Sequence, residues 1–549
     1  MDAAASDETG ARPRSALHVC SSCKKNKRRC DKRLPRCGSC LKTGRACNYS
    51  GPPSSSKSEA EVSDLQRRVR ELEHHLLPLR YLGRTPPATP LSRDGSVLCS
   101  SSNLSIQAYY LDSGLWSSHR IPDGSATIPA PREISVALGG EAEIQSITAT
   151  YFQTVHFYLP FVSKIKVARH IQSVEGSLKA DIALLLLCMK LVQEVPNIDD
   201  PQSFELYDLA KDFRTKLGLH GVVTLRALQA NILLLLYEIG HGIFPAAFMT
   251  VGACARQGVA LGLGSQLAPQ LAGKAQSWVD VEERRRTWWT VVILDRYVAL
   301  GGCYGALCTD DPASDMPLPT DDAVWNHGQI VPPELIPLSS KTSPIGIIIS
   351  PFARVAQASL LLGQVIKHCD NNTSTPDLGL DDIGNFNQLS HEIYSLIDII
   401  HNQNAIARLD VTVARTLCFS ALFKLANHYY ASDSATSREE RDPGAARNRE
   451  RLCRCVEIID DICGQVSTLI GELRGLLTRE AMKLVSPLFL NCFYVCARNV
   501  AWMVRETDDL RLGGLKRECE DLLRLVESRW RVAGVYLELL KIGDAGPGG

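Results

Sequence analysis

Residues 20–47 read CSSCKKNKRRCDKRLPRCGSCLKTGRAC, six cysteines spaced C-x2-C-x6-C-x6-C-x2-C-x6-C. The pattern is a repeat, because Cys20, Cys23 and Cys30 return as Cys37, Cys40 and Cys47, each 17 residues further on. A stretch this short cannot bury enough apolar surface to fold unaided, so a cross-link must make up the difference. Disulfides would serve in an oxidising compartment and tetrahedral zinc in a reducing one. Six thiolates cannot give each of two zinc ions four private ligands. Two sulfurs must therefore bridge, and the symmetric choice is the first cysteine of each half, Cys20 and Cys37. Cys23 and Cys30 then complete one set, Cys40 and Cys47 the other. An all-sulfur site is closed to water and substrate, so two Zn2+ ions here would be structural and their binding would be folding energy.

The charge between the cysteines points to a partner. Over the 549-residue chain Lys plus Arg equals Asp plus Glu, 60 each, and net charge excludes nothing. Between His18 and Tyr49, however, stand ten Lys or Arg and one acid, an excess of 10 − 1 = +9. Two zinc ions on six thiolates add 4 − 6 = −2, leaving about +7 on this short stretch, the footprint of a polyanion binder.

At these residues the sequence resembles the binuclear zinc cluster of fungal transcription regulators. The shared marks are the six spacings, the Cys30-Asp31 pair, Pro35 two residues before Cys37 and the basic run after Cys23. The resemblance implies a DNA-binding domain over residues 17–50, with the basic run as a short helix docked in the major groove of double-stranded DNA. It implies that Lys27, fourth after the second cysteine, reads a base of a CGG-type half-site. Lys24, Lys25 and Arg29 would hold phosphates, which fix register rather than sequence; Arg28 belongs to the same DNA-facing run. Asn26 stands where the family commonly has a basic residue, and Arg28 where it has an apolar one. Both leave the zinc ligands untouched and bear on which half-site is read.

Outward from this head, residues 1–16 lack periodicity and are expected to be disordered, and 51–61 read as a linker. Val62, Leu65, Val69, Leu72, Leu76 and Leu79 then recur at heptad spacing. With Val at a and Leu at d they predict a short parallel coiled coil over 62–77, ended by Pro78, in which Arg68 can bridge to Glu73 of the partner helix. Such a homodimer reads paired half-sites; the alternative is a monomeric binder with this helix folded on its own chain. Residues 84–140, rich in Pro, Ser, Gly and Thr, read as an unstructured connector.

From 141 to 545 the pattern is helical throughout, with no convincing alternating strands, so the fold class is all-α: a six-cysteine two-zinc head, a short coiled coil and a large helical domain. Helices are expected over 143–157, 178–194, 203–217, 224–241, 248–263 and 281–300, and then over 351–368, 387–402, 411–430, 451–476, 481–507 and 515–540. Three segments resemble the fungal-specific regulatory domain that accompanies zinc clusters: Thr224–Gln229 leading to Leu233–Tyr237, Ala255–Leu263, and Glu283–Trp289 continuing to Asp295-Arg296. The family's Gly-Arg-Pro loop is absent, since Gly302 is followed by Cys303-Tyr304.

No H-E-x-x-H, G-x-S-x-G or phosphate-cradling glycine loop is present, so no enzyme is expected. The cluster Arg284–Trp289 with Asp295 could be read as an acid beside an anion clamp, but Trp anchors and Arg–acid pairs within a core are the preferred reading. His241, His368, His391 and His428 read as isolated core or surface histidines. The N-terminus lacks the apolar core of a secretory signal, and no apolar run is long enough to span a bilayer. The expectation is a nuclear regulator of RNA polymerase II genes in a metabolic or secondary-metabolite pathway. Its partners would be DNA, the transcription machinery and a small-molecule effector. The alternative is a helical ligand-binding or catalytic domain localised to DNA by the head.

Overall fold

The fold comes from a computed structural model. It describes residue 16, residues 18–49 and 104–118, and residues 128–545 with interruptions at 173–177, 198–203, 265–270, 302–306, 314–315, 329–334, 339–348, 374–379, 404–408, 437–444 and 508–509. The 62–77 heptads and the N-terminal 15 residues lie outside the described residues. The chain divides into two units, Met1–Gly95 and Ser96–Gly549.

In the first unit two five-residue helices, α1 (Ser21–Lys25) and α2 (Gly38–Lys42), repeat the cysteine repeat. Its buried apolar core is Cys20, Cys23, Cys37 and Cys40, with Cys30, Cys47 and Tyr49 packed around them. Sulfur stands where other domains have hydrocarbon.

The second unit is all-α; no strand occurs among its described residues, only isolated bridges at Pro129–Lys179 and Pro317–Pro337. It begins earlier than the sequence pattern suggests. Within 84–140, expected to be an unstructured connector, stand α3 (Leu104–Leu111), α4 (Ser113–Ser118) and α5 (Arg132–Leu138). In α5 Ile134 and Leu138, one turn apart, are buried in the main core. About two turns between Pro131 and Gly139 are too short to register as a periodic pattern, and docking rather than propensity holds them.

The next helices are α6 (Glu141–Gln153), α7 (Val155–Tyr158), α8 (Lys164–Gln172), α9 (Ala180–Leu191), α10 (Glu205–Leu219), α11 (Leu225–His241), α12 (Ala246–Ala260) and α13 (Trp278–Val298). Helices α9 and α11 are the axis of the layer: every residue from Ala180 to Met189 and from Ala227 to His241 is buried. A helix apolar on all sides is one surrounded by others, and α9 packs on α5, α6, α10 and α11. Helix α11 starts where Thr224 Oγ1 accepts from Ala227 N (3.1 Å) and stops at Gly242 in the left-handed region. Helix α13 starts at a capping box of Ser277 and Asp280.

After α14 (Asp322–His327) come the long helices α15 (Pro351–Thr373), α16 (Leu380–Gln403), α17 (Leu409–Thr436) and α18 (Ala445–Leu476), then α19 (Leu490–Thr507), α20 (Leu510–Glu527) and α21 (Val532–Ala545). Three expected helices are each divided, the first of them 143–157, which breaks at Thr154 between α6 and α7. The 481–507 pattern breaks into short 3-10 turns around Pro487, which has no N–H to continue a helix. The 515–540 pattern stops after Glu527 and restarts at Val532. In the break Trp530 is fully buried, its indole donating to Val485 O (2.8 Å), while Arg529 and Arg531 donate to Val192 O (2.8 Å) and Pro196 O (3.1 Å). These bonds tie the C-terminal helices to the end of α9, so a single core runs from Ile134 to Leu540.

Candidate metal centre and nucleic-acid interface

The six sulfurs fall into two sets of four. Cys20, Cys23, Cys30 and Cys37 form one and Cys20, Cys37, Cys40 and Cys47 the other, with all ligand atoms of a set within 4.8 Å of one another. Cys20 and Cys37 belong to both. Zinc–sulfur bonds of about 2.3 Å at tetrahedral angles put sulfurs roughly 3.8 Å apart. The spacings here are 3.7 Å for Cys20–Cys37, 3.6 Å for Cys23–Cys37, 3.9 Å for Cys20–Cys30 and 3.7 Å for Cys20–Cys40. None of the six cysteines is in a disulfide. The donor set therefore fits tetrahedral zinc in number, chemistry and spacing.

The backbone prepares these sulfurs to be anionic. Cys20 Sγ accepts from Cys23 N and Cys37 Sγ from Cys40 N, each at 3.4 Å, so each shared sulfur caps the N-terminus of one short helix. Cys47 Sγ accepts from Cys37 N (3.2 Å), and that bond, the largest of the influences on it, holds its thiol below the ordinary value. Burial pushes the Cys20 thiol up, a cost that coordination by a divalent cation offsets. The turn between the halves is held by Asp31, whose Oδ1 accepts from Gly38 N (2.9 Å); this lowers its carboxyl below the usual range. The approach is close enough that a Cβ on Gly38 would stand 2.7 Å from Asp31 Oδ2. Tyr49 closes the cluster, donating to Arg33 O (2.9 Å) with its hydroxyl 4.0 Å from Cys30 Sγ.

The basic run does not form one helix, contrary to expectation. Helix α1 ends at Lys25, with Asn26 as its cap and Asn26 Nδ2 donating to Ser22 O (2.8 Å). Lys27 then turns into the left-handed region at φ 48°, and Arg28 N bonds back to Cys23 O (3.0 Å). The cause is the repeat: in the second half Gly44 holds the matching position at φ 62°, and Arg45 N bonds to Cys40 O (3.1 Å). Each chain end must swing back to deliver its third cysteine, and only a left-handed residue allows it. Lys24, Lys25, Lys27, Arg28 and Arg29 are all exposed, and among the described residues no ion pair holds any of them. They lie on the end of α1 and the strap that follows it, a surface fixed by the sulfurs.

The Arg284–Asp295 cluster is different. Arg286 is fully buried: Nε donates to Glu282 (2.8 Å), Nη1 to Asp322 (2.6 Å) and Pro160 O (3.0 Å), and Nη2 to Thr320 O (2.6 Å). Trp325 lies 4.3 Å from its guanidinium carbon. Asp295 accepts from Arg296 (2.9 Å), Thr309 N (2.9 Å) and Thr309 Oγ1 (2.7 Å). Buried and bonded to Arg296 and Thr309, Asp295 is part of the scaffold of this core.

A thiolate cluster that organises a cationic strap, joined to a large helical domain, defines a class of zinc-dependent DNA-binding regulators. Two family models match the chain, the fungal Zn(2)-Cys(6) binuclear cluster domain over residues 18–56 and the fungal specific transcription factor domain over 148–422. Transcription factor BOA15 of Botryotinia fuckeliana is 44% identical over 181 residues, 33% of this chain and 99% of that protein. The arabinolytic transcriptional activator araR of Emericella nidulans is 47% identical over 51 residues, 9% of this chain and 6% of its own. The chain belongs to the fungal zinc-cluster transcription factors.

Proposed function

We propose that the chain is a sequence-specific regulator of RNA polymerase II genes. It acts in the nucleus, holds two Zn2+ ions through six thiolates and reads CGG-like half-sites as a homodimer. The observation that carries this reading is the pairing of the two four-sulfur sets with five exposed cations that no ion pair holds among the described residues. Zinc supplies folding energy when bound; the chain's own residues make the DNA contacts. Lys27 reads a base edge in the major groove, and Lys24, Lys25, Arg28 and Arg29 neutralise phosphates. Binding is then steeply salt-dependent. The dimer rests on the heptads of residues 62–77 in the sequence. Control of a metabolic or secondary-metabolite pathway draws support from the similarity to araR, an arabinolytic activator; the shared 51 residues do not carry the sugar over, and a small-molecule effector belongs to the same proposal.

Gel-shift titration against a duplex containing paired CGG half-sites tests the reading. Cys37→Ser should abolish binding, and Lys27→Ala should lose sequence discrimination more than non-specific affinity. A Cys37→Ser protein that binds normally overturns the shared-sulfur account. A Lys27→Ala protein that keeps its sequence preference reassigns Lys27 to phosphate.

A further inference from the structure

A cavity of about 760 Å³ opens between α8, α9, the start of α11 and the first turn of α13. Its size suits a small organic ligand. Part of its wall is apolar, from Val167, Ile182, Leu185, Leu225 and Val279. Its charge is one-sided: Lys166, Arg169, Arg226, Lys274 and Arg284 line it against two carboxylates, Asp280 and Glu283, an excess of 5 − 2 = +3. Arg226 also pairs with Asp181 (2.9 Å), outside the lining, and the excess is still two.

Both lining carboxylates are already paired with one cation, Lys166. Glu283 is buried; its Oε1 accepts from Ser163 N (3.0 Å) and Gln229 (3.1 Å), and its Oε2 from Lys166 (2.7 Å). Asp280 Oδ2 accepts from Gln276 N (2.8 Å) and Ser277 N (3.0 Å), and its Oδ1 pairs with Lys166. Arg226 is oriented by His170, whose Nδ1 donates to Lys166 O (2.6 Å) and whose Nε2 faces the guanidinium. Among the described residues Arg284 reaches only a carbonyl, that of Gly273. Arg169 and Lys274 are exposed at the rim and held by no ion pair among the described residues. A concave site with like charges on low-dielectric walls focuses the field toward an anion.

We infer that this cavity binds a small metabolite bearing a carboxylate or phosphate on an apolar body, its oxyanion held by Arg169, Lys274 and Arg284. The inference rests on the proposed regulator reading only in calling that metabolite an effector. The test therefore measures binding itself and stands apart from any result on DNA.

The experiment is calorimetric titration of the full-length, zinc-loaded protein with citrate, with inorganic phosphate, and with sodium chloride at matched ionic strength. Saturable binding of one or both anions is expected, at concentrations up to about 10 mM where binding also raises the unfolding temperature. The double variant Arg169→Gln, Lys274→Gln should bind about tenfold or more weakly, with its unliganded melting temperature unchanged. Citrate without phosphate supports a carboxylate ligand, and the reverse supports a phosphorylated one. Equal affinity in the double variant, an equal response to sodium chloride, or no saturable binding of either anion overturns the inference.

Discussion

In the helical domain Arg286 and Arg296 are fully buried, and each meets two carboxylates: Glu282 and Asp322 for the first, Asp295 and Asp311 for the second. In the head Lys24, Lys25, Lys27, Arg28 and Arg29 are exposed and meet none among the described residues. The two regions are also held together by different means. The domain buries one apolar core running from Ile134 to Leu540, whereas the head buries four cysteines. A cation committed to a buried carboxylate is part of the scaffold, because removing either partner strands a charge. A cation left free on a scaffold that metal has already fixed is available to an external anion. The sequence run 284–286 is as basic as 27–29, and only burial tells the two apart.

The largest effect that could break this comparison is loss of zinc. Structural zinc in small thiolate sites is worth about 10–16 kcal/mol. Chelation, or Cys20→Ser, should therefore unfold the head and abolish DNA binding. The helical domain should keep its thermal transition, since its core contains no residue of the head. Circular dichroism melts with and without chelator check this. A domain transition that collapses with the zinc would show that the two regions are not separately held.

Next in size is the converse perturbation. Arg286→Met leaves Glu282, Asp322 and two carbonyls without their shared donor. It should destabilise the domain by about 3–5 kcal/mol, the cost of breaking a buried pair, while Lys24→Ala should change stability by less than about 0.5 kcal/mol. On DNA the order reverses. Lys24→Ala should reduce the slope of log affinity against log salt by about one, and Arg286→Met should leave that slope alone. Urea titration and salt-series gel shifts give both numbers.

Acid separates the regions less strongly. Burial, with Arg529 and Arg531 in the same direction, pushes His241 down to about 3, and its ring packs against Tyr237 (4.4 Å) and Trp530 (5.3 Å). A histidine depressed in the folded state binds its proton more readily when unfolded. Its contribution to stability is therefore whole above about pH 6.5 and is lost as pH falls toward 3. Between pH 6.5 and 5 the domain should lose about 2 kcal/mol through this residue. His241→Phe, which keeps the ring packing, should flatten that slope, and an unchanged slope would assign the acid sensitivity elsewhere.

The same contrast explains what the sequence could and could not disclose. The four-sulfur sets and their shared cysteines follow from count and period alone, and the structure groups Cys20 and Cys37 in both sets. The long helices follow from periodicity, and the Glu282–Arg286 pair from its i,i+4 spacing. The features that were not legible depend on contacts distant in the chain: α5 docked by Ile134 and Leu138, the break that inserts Trp530, Tyr49 over the sulfurs, and the cavity where four separate segments meet. In the head the resemblance implies a helical basic run, but the need to return Cys30 to the cluster ends the helix at Lys25 and turns the chain at Lys27.

That last point gives the smallest and sharpest test. A side chain in the left-handed region costs about 1 kcal/mol relative to glycine, and the second half of the head avoids the cost with Gly44. The first half carries Lys27 instead. If the lysine is there for DNA, Lys27→Gly should remove strain and function together. Zinc release to a chromogenic chelator should slow, consistent with a head stabler by up to about 1 kcal/mol, while discrimination between CGG and scrambled duplexes falls. Lys27→Ala should lose the same discrimination and keep the strain, so the two variants should agree on DNA and differ in zinc release. Equal zinc release would mean that the left-handed turn carries no strain. Retained discrimination in either variant would mean that the base is read by another residue of the strap.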